Sequence, residues 1–257
     1  MQSNQVLGID VGASGIKGAI VDVTTGKLLT SRLRLLTPVP STPEAMAHTF
    51  AELARSYNWT GLIGCGFPTL VREGVSIAAS NLDKSWIGKN VETVFSEASG
   101  CLVKVLNDAD AAGMAEMRFG LDKGKKGVLV FITIGTGLGS AVFIDGKIVP
   151  NTELGQIYLK GHEKIAEQYA SSSAKDRDNL SWEVWGKRFN EYLTHLELLF
   201  SPNLFILGGG TSKNFKDYAP YLTVDAQVVP AQLLNSAGMI GAACYAFERS
   251  QLAVLSE

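Results

Sequence analysis

One pattern occurs in both halves of the chain: a short run of branched apolar residues, a glycine-rich turn and a second apolar run. The first copy begins at Ile9–Gly12 and continues at Ala19–Val21, and the second begins at Ile132–Gly135 and continues at Ala141–Phe143. Helices and strands alternate after each copy, which is the order typical of an α/β domain. The repetition predicts two α/β lobes of similar plan with a cleft between them, and such clefts commonly bind ligands.

Apolar periodicity and the positions of glycine and proline locate the individual elements. The predicted strands are residues 6–11, 16–23, 28–35, 62–67, 103–106, 128–134, 140–144 and 204–207. The predicted helices begin after Thr42 or cover residues 90–98, 108–119, 182–200 and 233–247. The aromatic and leucine residues of 182–200 recur at helical spacing, which indicates core packing.

Composition excludes several classes of function. The 257 residues are 46% hydrophobic with a net charge of −2, so no basic excess indicates nucleic acid or an anionic membrane as partner. The longest apolar runs are too short to span a bilayer, and the first residues carry no secretory signal pattern. The three cysteines are widely separated in apolar surroundings, which favours buried free thiols in a reducing compartment. We therefore expect a cytoplasmic protein.

The first glycine turn, within residues 10–18, carries charged residues that suit phosphate chemistry. Gly12 and Gly15 allow backbone N–H groups to approach a phosphate closely. Asp10 at the strand end is a candidate metal ligand, and Lys17 could offset phosphate charge. The alternative is a tight hairpin with a surface lysine. Because the turn leads into a strand, it matches neither the dinucleotide-binding motif nor the P-loop.

The second glycine turn, residues 133–140, offers phosphate ligands without charge. Thr133 and Thr136 supply hydroxyl groups, and Gly135, Gly137 and Gly139 expose backbone donors. Such a loop suits phosphate oxygens that are carried on a metal ion. Two turns of this type, half a chain apart, favour phosphate binding over a purely structural role for the pair.

Several carboxylates follow predicted strands or lie in loops. Asp108 stands where a strand ends and a helix begins, a position that suits the base that takes a hydroxyl proton during phosphoryl transfer. The alternative role for Asp108 is the N-cap of the helix, and Asp110 could simply favour the helix dipole. Glu153 and Glu167 are candidates for hydrogen bonds to sugar hydroxyls, with solvated surface charge as the alternative.

At these residues the chain resembles the ROK family of sugar kinases and, within it, the polyphosphate glucokinases. The resemblance spans nearly the whole chain, and its later motifs are more specific than the glycine turns. The matching segments are GIDVGASGIKG (8–18), LNDADAAG (106–113), TIGTGLG (133–139), PNTELG (150–155), LSW (180–182), LFSPNLFILGGG (199–210) and VPAQLLN (229–235).

The resemblance implies a two-lobed actin-like, hexokinase-like fold, which is a duplicated ribonuclease H-like α/β plan with a central cleft. The lobes are expected as a small one of residues 1–108 with 239–257 and a large one of residues 109–238. The implied activity is transfer of a phosphoryl group from polyphosphate, ATP or both to the 6-hydroxyl of glucose. The resemblance further implies Mg²⁺ as cofactor and a homodimer. We also expect the lobes to close over bound sugar, because closure excludes water that would otherwise accept the phosphoryl group.

The resemblance also implies roles for individual residues, with Asp108 as the general base. The residues expected at the sugar are Asn81, Asn107, Glu153, Gln156 and Glu167. The residues expected at the phosphates are Asp10, Gly12, Ser14, Gly15, Lys17, Thr133, Gly135, Thr136, Gly137, Gly139 and Gly209, with Asp10 also at the metal ion. The segment 208–210 matches the part that lies by the nucleoside in relatives that use ATP.

Some positions depart from the family pattern. Gln156 replaces a histidine that contacts sugar and often zinc, and the zinc-binding cysteine cluster is absent, so no structural zinc is expected. His162 is a possible substitute for that histidine, Thr69 replaces a glycine near the expected sugar position, and Ala13 replaces one in the first turn. The alternatives are therefore a kinase of mannose or fructose, or a sugar-binding sensor. The donor stays open, with candidate polyphosphate contacts at Lys84, Lys123, Lys125 and Lys126.

Overall fold

The computed structural model describes residues 4–79, 82–120 and 124–255. The strands are β1 Gln5–Gly12, β2 Gly15–Asp22, β3 Lys27–Leu28, β4 Leu33–Leu35, β5 Ile63–Phe67, β6 Val71–Arg72, β7 Val75–Ser76, β8 Val103–Asn107, β9 Val128–Ile134, β10 Leu138–Ile144, β11 Lys147–Val149, β12 Leu204–Gly208 and β13 Gln227–Pro230. The helices are α1 Pro43–Ser56, α2 Val91–Ser99, α3 Asp108–Phe119, α4 Ala166–Ala170, α5 Ser172–Arg177, α6 Trp182–Phe200, α7 Phe215–Tyr218 and α8 Ala237–Leu255.

The chain divides into two compact units. The first unit comprises Met1–Phe119 and Ser236–Glu257, and the second comprises Gly120–Asn235. The sequence places the first boundary after residue 108, whereas the compact units separate after Phe119. The reason is that α3 packs on α8 at close range, since a Cβ on Gly241 of α8 would lie only 2.5 Å from the carbonyl carbon of Ala111 in α3.

The first unit is built around a mixed sheet in the order β3-β2-β1-β5-β8, with β4 also paired to β2. Strands β1, β5 and β8 are parallel. Leu7 and Ile9 of β1 join the apolar cluster that includes Phe50 of α1, whereas a Cβ on Gly8, between them, would contact Met239 of α8. Because successive strand residues face opposite sides of a sheet, α1 and α8 cover opposite faces.

Aromatic rings fill the core beneath α1 and α2. Phe50 and Phe95 stack with centroids 4.1 Å apart, and the rings of Phe67 and Trp86 meet edge to face at 4.8 Å. All of these side chains are fully buried. Ring pairs of this geometry add to the stabilisation that burial provides, so this cluster fixes the position of the sheet against its helices.

The second unit repeats the plan with a sheet in the order β11-β10-β9-β12-β13. Strands β9 and β10 form an antiparallel hairpin, and β9, β12 and β13 are parallel. The buried face of α6 presents Trp185, Phe189 and Tyr192 to the core, as the helical spacing predicts. The mixed α/β architecture read from the sequence is therefore confirmed.

Two element predictions are wrong. Residues 28–35 do not form one strand, because side-chain hydrogen bonds take the place of backbone pairing in the segment between β3 and β4. Thr30 Oγ1 accepts a hydrogen bond from Ile20 N at 3.0 Å, and Tyr57 OH donates to Ser31 O at 2.9 Å. The last helix begins at Ala237 and not at residue 233, because Leu234 has a positive φ of 45°. None of the helices in the described part of the chain combines the length and apolarity that a membrane crossing requires.

Candidate active site

The first glycine turn is a two-residue hairpin connection. Strands β1 and β2 pair residue by residue up to Gly12 opposite Gly15, which leaves Ala13 and Ser14 as the turn. Arg34 holds it, since its Nη2 donates to Ser14 O at 2.8 Å and to Ser14 Oγ at 3.3 Å. A Cβ on Gly15 would lie 3.0 Å from the guanidinium carbon of Arg34. The turn therefore has a fixed shape and an adjacent cation.

Asp10 and Lys17 face each other just before this turn. They are direct partners in the antiparallel ladder, and Lys17 Nζ lies 3.3 Å from Asp10 Oδ2. Both side chains are partly buried, with 20% of Asp10 and 29% of Lys17 exposed. The lysine is therefore not a freely solvated surface residue. Together the two residues offer one anionic and one cationic group beside the glycine turn.

Asn107 caps helix α3. Its Oδ1 accepts hydrogen bonds from Ala109 N at 2.8 Å and Asp110 N at 3.1 Å, and its Nδ2 donates to Thr69 O at 3.2 Å. These contacts satisfy backbone donors that a helix start leaves unpaired. The capping role that the sequence left open for Asp108 thus belongs mainly to the preceding residue. Asp108 is half-buried at the first helical position, and its Oδ1 accepts a hydrogen bond from Ala109 N at 2.8 Å.

Asp10 and Asp108 stand at the same edge of the first unit's sheet. In the parallel register, Asp10 pairs with Gly66 and Gly66 pairs with Leu106, so Asp108 follows two residues beyond the same row. A Cβ on Gly66 would lie 3.6 Å from Asp108 Cα. This edge carries the carboxyl ends of the parallel strands, which is where open α/β sheets bind their ligands.

The second glycine turn closes the β9–β10 hairpin. Ile134 pairs with Leu138, Thr133 pairs with Gly139, and Gly135 N donates to Gly137 O at 3.0 Å. Thr136 is the exposed tip of the turn. The neighbouring turn after β12 is tightly packed against it, because a Cβ on Gly209, whose φ is 79°, would lie 2.6 Å from Ile134 N. The structure therefore brings together six of the residues expected at the phosphates: Thr133, Gly135, Thr136, Gly137, Gly139 and Gly209.

Glu153 and Glu167 form a pair of carboxylates beside this turn. Burial raises the pKa of Glu153 above its usual range, and the negative charge of Glu167 adds to the shift. Glu167 Oε2 accepts a hydrogen bond from Leu138 N at 2.9 Å. Ser140 fixes the segment on both sides of Glu153, since its Oγ donates to Thr152 O and accepts from Leu154 N at 2.9 Å. No described lysine, arginine or histidine forms an ion pair with either glutamate.

Tyr192 is a neighbour of this carboxylate pair that sequence reasoning missed as a site residue. It is fully buried, and its hydroxyl has no hydrogen-bond partner in the described residues. Burial raises the pKa of Tyr192 far above its ordinary value, and the charges of Glu167 and Glu153 raise it further. The hydroxyl therefore stays protonated and can donate a hydrogen bond. Its aromatic spacing on α6 indicated core packing alone.

Other predicted sugar contacts differ in their surroundings. Gln156 is exposed at the end of a 3₁₀ turn, and Asn81 lies outside the described residues. His162 Nε2 lies 3.1 Å from Glu191 Oε2 and its ring contacts Tyr169, so its described contacts do not involve Gln156. Lys123 also lies outside the described residues, while Lys125 donates to Gln227 Oε1 at 2.6 Å.

A cavity of 370 Å³ adjoins the second glycine turn, within the second unit. Its lining includes Gly135 and Thr136 of the turn, Lys175 of α5, Trp182 of α6 and Gly210 of the turn after β12. Lys175 Nζ lies 4.3 Å from the ring centroid of Trp182, a cation–π geometry. No carboxylate in the described chain forms an ion pair with this lysine. The cavity thus combines an ammonium group with hydroxyl and backbone donors, and the acidic residue Asp176 also lines it.

The sequence profile of the ROK family matches residues 6–168. The chain belongs to the ROK family. The resemblance read from the motifs is confirmed. The polyphosphate glucokinase of Mycobacterium tuberculosis is 47% identical over 237 residues, which cover 92% of this chain and 89% of that protein. The glucokinase of Streptomyces coelicolor is 30% identical, over 94% of this chain and 97% of its own length.

Solved ROK structures share the fold. The inorganic polyphosphate/ATP-glucomannokinase of Arthrobacter sp. strain KM superposes with a TM-score of 0.90 at 44% identity, over 95% of this chain and 99% of that one. A ROK family glucokinase of Streptomyces griseus, solved with glucose and AMPPNP, superposes with a TM-score of 0.80 at 26% identity, with the same coverage. The actin-like, hexokinase-like assignment is therefore confirmed for the fold.

Proposed function

We propose that this ROK protein is a hexose kinase that transfers a phosphoryl group from inorganic polyphosphate or ATP to the 6-hydroxyl of glucose. The similarity to a polyphosphate glucokinase and to a polyphosphate/ATP-glucomannokinase, over more than nine-tenths of the chain, supports this activity. The structural observation that carries the proposal is the shared sheet edge of Asp10 and Asp108 beside the first glycine turn. Phosphoryl transfer needs this set of groups: a base, a charge partner and an anion-binding turn.

Asp108 is proposed as the general base. Because Asn107 satisfies the helix start, the carboxylate of Asp108 is not required as the cap of α3. The carboxylate would accept the proton of the sugar's 6-hydroxyl as that oxygen attacks the phosphorus atom. Glu153 and Glu167 are proposed to bind sugar hydroxyls, since two carboxylates that form no ion pair within the described residues can accept hydrogen bonds from adjacent hydroxyl groups. Roles for Asn81 and Gln156 at the sugar stay predictions.

Mg²⁺ is proposed to enter with the donor phosphates. Such an ion is usually held by one or two carboxylates together with substrate phosphates, and Asp10 offers one partly buried carboxylate at the first turn. A larger cluster of metal-binding side chains is not found in the described residues. The ion would neutralise charge on the transferred group, while Lys17 orients Asp10 from the neighbouring strand. Structural zinc is no part of this proposal.

The donor is proposed to extend into the 370 Å³ cavity beside the second turn. Gly135 and Thr136 would contact the phosphates, and Lys175 would neutralise the next anionic group along the donor. The ring of Trp182, as seated, is covered by the ammonium group on one face. A polyphosphate chain would therefore meet the ammonium group of Lys175 in this cavity. A nucleoside would instead need an open apolar surface, and the ammonium group covers that face of the ring.

Mannose is the second candidate acceptor. The similarity to a glucomannokinase favours it, and Gln156 stands exposed at the position where the family pattern has histidine. Fructose and a sensor role without turnover are the remaining alternatives. Initial rates of hexose 6-phosphate formation with glucose, mannose and fructose, each with polyphosphate and with ATP, separate these possibilities. Absence of turnover with every pair would refute the kinase proposal.

The role of Asp108 has its own test. Asp108→Asn keeps the size of the side chain but removes the proton acceptor, so turnover is expected to fall at least about a hundredfold. Glucose binding, measured by calorimetry without a donor, is expected to change little. Asp110→Asn, two residues further on the same helix, is the matched control. Nearly intact turnover in Asp108→Asn would place the base elsewhere.

Location and assembly complete the proposal. The free thiols of Cys65, Cys101 and Cys244 are all buried, which supports a reducing compartment such as the cytoplasm. A homodimer is proposed from the family resemblance. Sedimentation velocity over a range of concentrations tests it, and a single species with the mass of one chain would refute it.

A further inference from the structure

The side chain of Glu167 occupies the space beside the second glycine turn. Its Oε2 accepts a hydrogen bond from Leu138 N at 2.9 Å, although the two residues are 29 positions apart. A Cβ on Gly137 would lie 2.8 Å from Cδ of Glu167 and closer still to Oε2. A methyl group at 137 would therefore displace the carboxylate, which fills the place of a side chain.

The other oxygen of Glu167 has a different environment. Within the described residues, the hydrogen bond between Glu167 and Leu138 N uses Oε2, and no cation pairs with the carboxylate. The negative charge of Glu167 helps to raise the pKa of Glu153 and that of the buried Tyr192 hydroxyl. One oxygen is thus bound to the glycine turn, while the carboxylate as a whole belongs to the proposed sugar site.

We infer that Glu167 is a positioning residue that couples sugar binding to the shape of the donor turn. A sugar held by Glu167 restrains the carboxylate, and the carboxylate restrains Leu138 and Gly137 in the phosphate-binding geometry. Coupling of this kind is reciprocal, so a correctly shaped turn also holds Glu167 ready for the sugar. The inference rests on the proposed function, because it takes Glu167 as a sugar ligand.

Another explanation of Gly137 makes a different prediction. If the glycine is required only for close approach of a phosphate, a methyl group there disturbs the donor and leaves sugar binding intact. If the glycine makes room for Glu167, the same methyl group displaces the carboxylate and weakens sugar binding when no donor is present. Glucose affinity of the donor-free protein therefore distinguishes the two explanations.

The test compares Gly137→Ala with Gly135→Ala. Both replace a glycine of the same turn without a positive φ, but a Cβ on Gly135 meets no atom within 4 Å. Calorimetric titration with glucose alone is expected to show affinity weakened about tenfold in Gly137→Ala, within the range of typical site-to-site couplings. Gly135→Ala is expected to bind glucose within about twofold of the unmodified protein, which is a negligible free-energy change. Equal affinities in the two variants would overturn the inference.

A double-mutant cycle shows whether the effect passes through Glu167. In a Glu167→Ala background, Gly137→Ala is expected to change glucose affinity by less than about twofold, because the displaced group is gone. An undiminished tenfold effect in that background would refute the coupling. Failure of the unmodified protein to bind glucose would refute the proposed function and, with it, the inference.

Glu167→Asp approaches the same contact from the other side and applies if Gly137→Ala does not fold. The shorter carboxylate withdraws from Leu138 N, so the KM for polyphosphate at saturating glucose is expected to rise at least about fivefold. Thermal unfolding of this variant controls for general damage. A KM for polyphosphate equal to that of the unmodified protein would count against Glu167 as a positioning residue for the donor turn.

Discussion

Helix α8 passes unusually close to its neighbours, and Gly241 is where this closeness can be tested. A Cβ on Gly241 would lie 2.5 Å from the carbonyl carbon of Ala111 in α3. On the sheet side, a Cβ on Gly64 of β5 would lie 2.7 Å from Ala243 N of α8. The helix is therefore held between α3 and the sheet at distances that only glycine permits.

The cost of Gly241→Ala follows from these distances. Carbon atoms prefer separations of about 3.5–4.0 Å, so α3 and α8 must move apart by at least about 1 Å, and the carbonyl oxygen of Ala111 lies closer still to the added Cβ. Overpacking against rigid backbone costs about 3 kcal/mol, at the upper end of the usual range. Alanine returns about 1 kcal/mol through its higher helix propensity. The expected net effect is a loss of about 2 kcal/mol in the free energy of unfolding, the difference between these two terms.

The same displacement should reach the chemistry, because α3 begins with Asp108. A shift of about 1 Å in a catalytic group can reduce turnover about a hundredfold. We therefore expect Gly241→Ala to lose kcat for glucose phosphorylation at temperatures where it is fully folded. The KM for glucose should change less, since Glu153 and Glu167 belong to the second unit.

Urea unfolding followed by circular dichroism, together with initial rates, provides the assay. Gly210→Ala is the matched control for stability, because a Cβ there meets no atom within 4 Å and φ is not positive. A midpoint for Gly241→Ala equal to that of the unmodified protein would refute the close packing of α3 and α8. A lowered midpoint with unchanged kcat would show that the position of α3 does not govern Asp108.

Three further predictions concern the second unit. Glu153→Gln should raise the melting temperature at pH 7 while weakening glucose binding. Because the fold raises the pKa of Glu153, ionisation of this carboxyl group destabilises the folded state only above the ordinary glutamate pKa of 4.5. The stabilisation by glutamine should therefore vanish below that pH. Lys175→Met should lower kcat/KM for polyphosphate about tenfold, because one charge-assisted contact is lost, and should lower kcat/KM for ATP less. Lys187→Met, on the exposed face of α6, is the control and should change neither value. Tyr192→Phe should leave the free energy of unfolding unchanged or raise it by about 1 kcal/mol in urea titrations, because the buried hydroxyl has no partner within the described residues.

Local patterns in the sequence predict most of the secondary structure. The two strand–glycine turn–strand units are found as β1–β2 and β9–β10, because alternating burial and glycine positions are properties of a few neighbouring residues. The α6 helix is equally local, since its aromatic spacing lies within it and its cap, Ser181, immediately precedes it. In the structure the second glycine turn and Gly209 lie together, because they follow β9 and β12, which are neighbouring parallel strands.

Contacts between distant side chains could not be predicted in this way. Arg34 reaches Ser14 across 20 residues, and Thr37 Oγ1 donates to Gly12 O across 25 residues. Neither residue belongs to a motif, and both lie in or near the segment predicted as a single strand. That error has the same origin, because the hydroxyl of Tyr57 donates to Ser31 O, 26 residues away, where a strand would have a backbone hydrogen bond.

Gly137 shows why a correct motif can still conceal the role of its residues. In the sequence, its place in a glycine-rich turn indicates close approach to phosphate, and nothing nearby points to another reason for the missing side chain. In the structure, the space that a side chain would occupy holds the carboxylate of Glu167. The motif therefore specifies that a glycine is needed, whereas the tertiary contact determines what the glycine makes room for. If the glycine is needed only for the donor, Gly137→Ala leaves glucose affinity unchanged. If the glycine makes room for the carboxylate, Gly137→Ala weakens glucose binding before any donor binds.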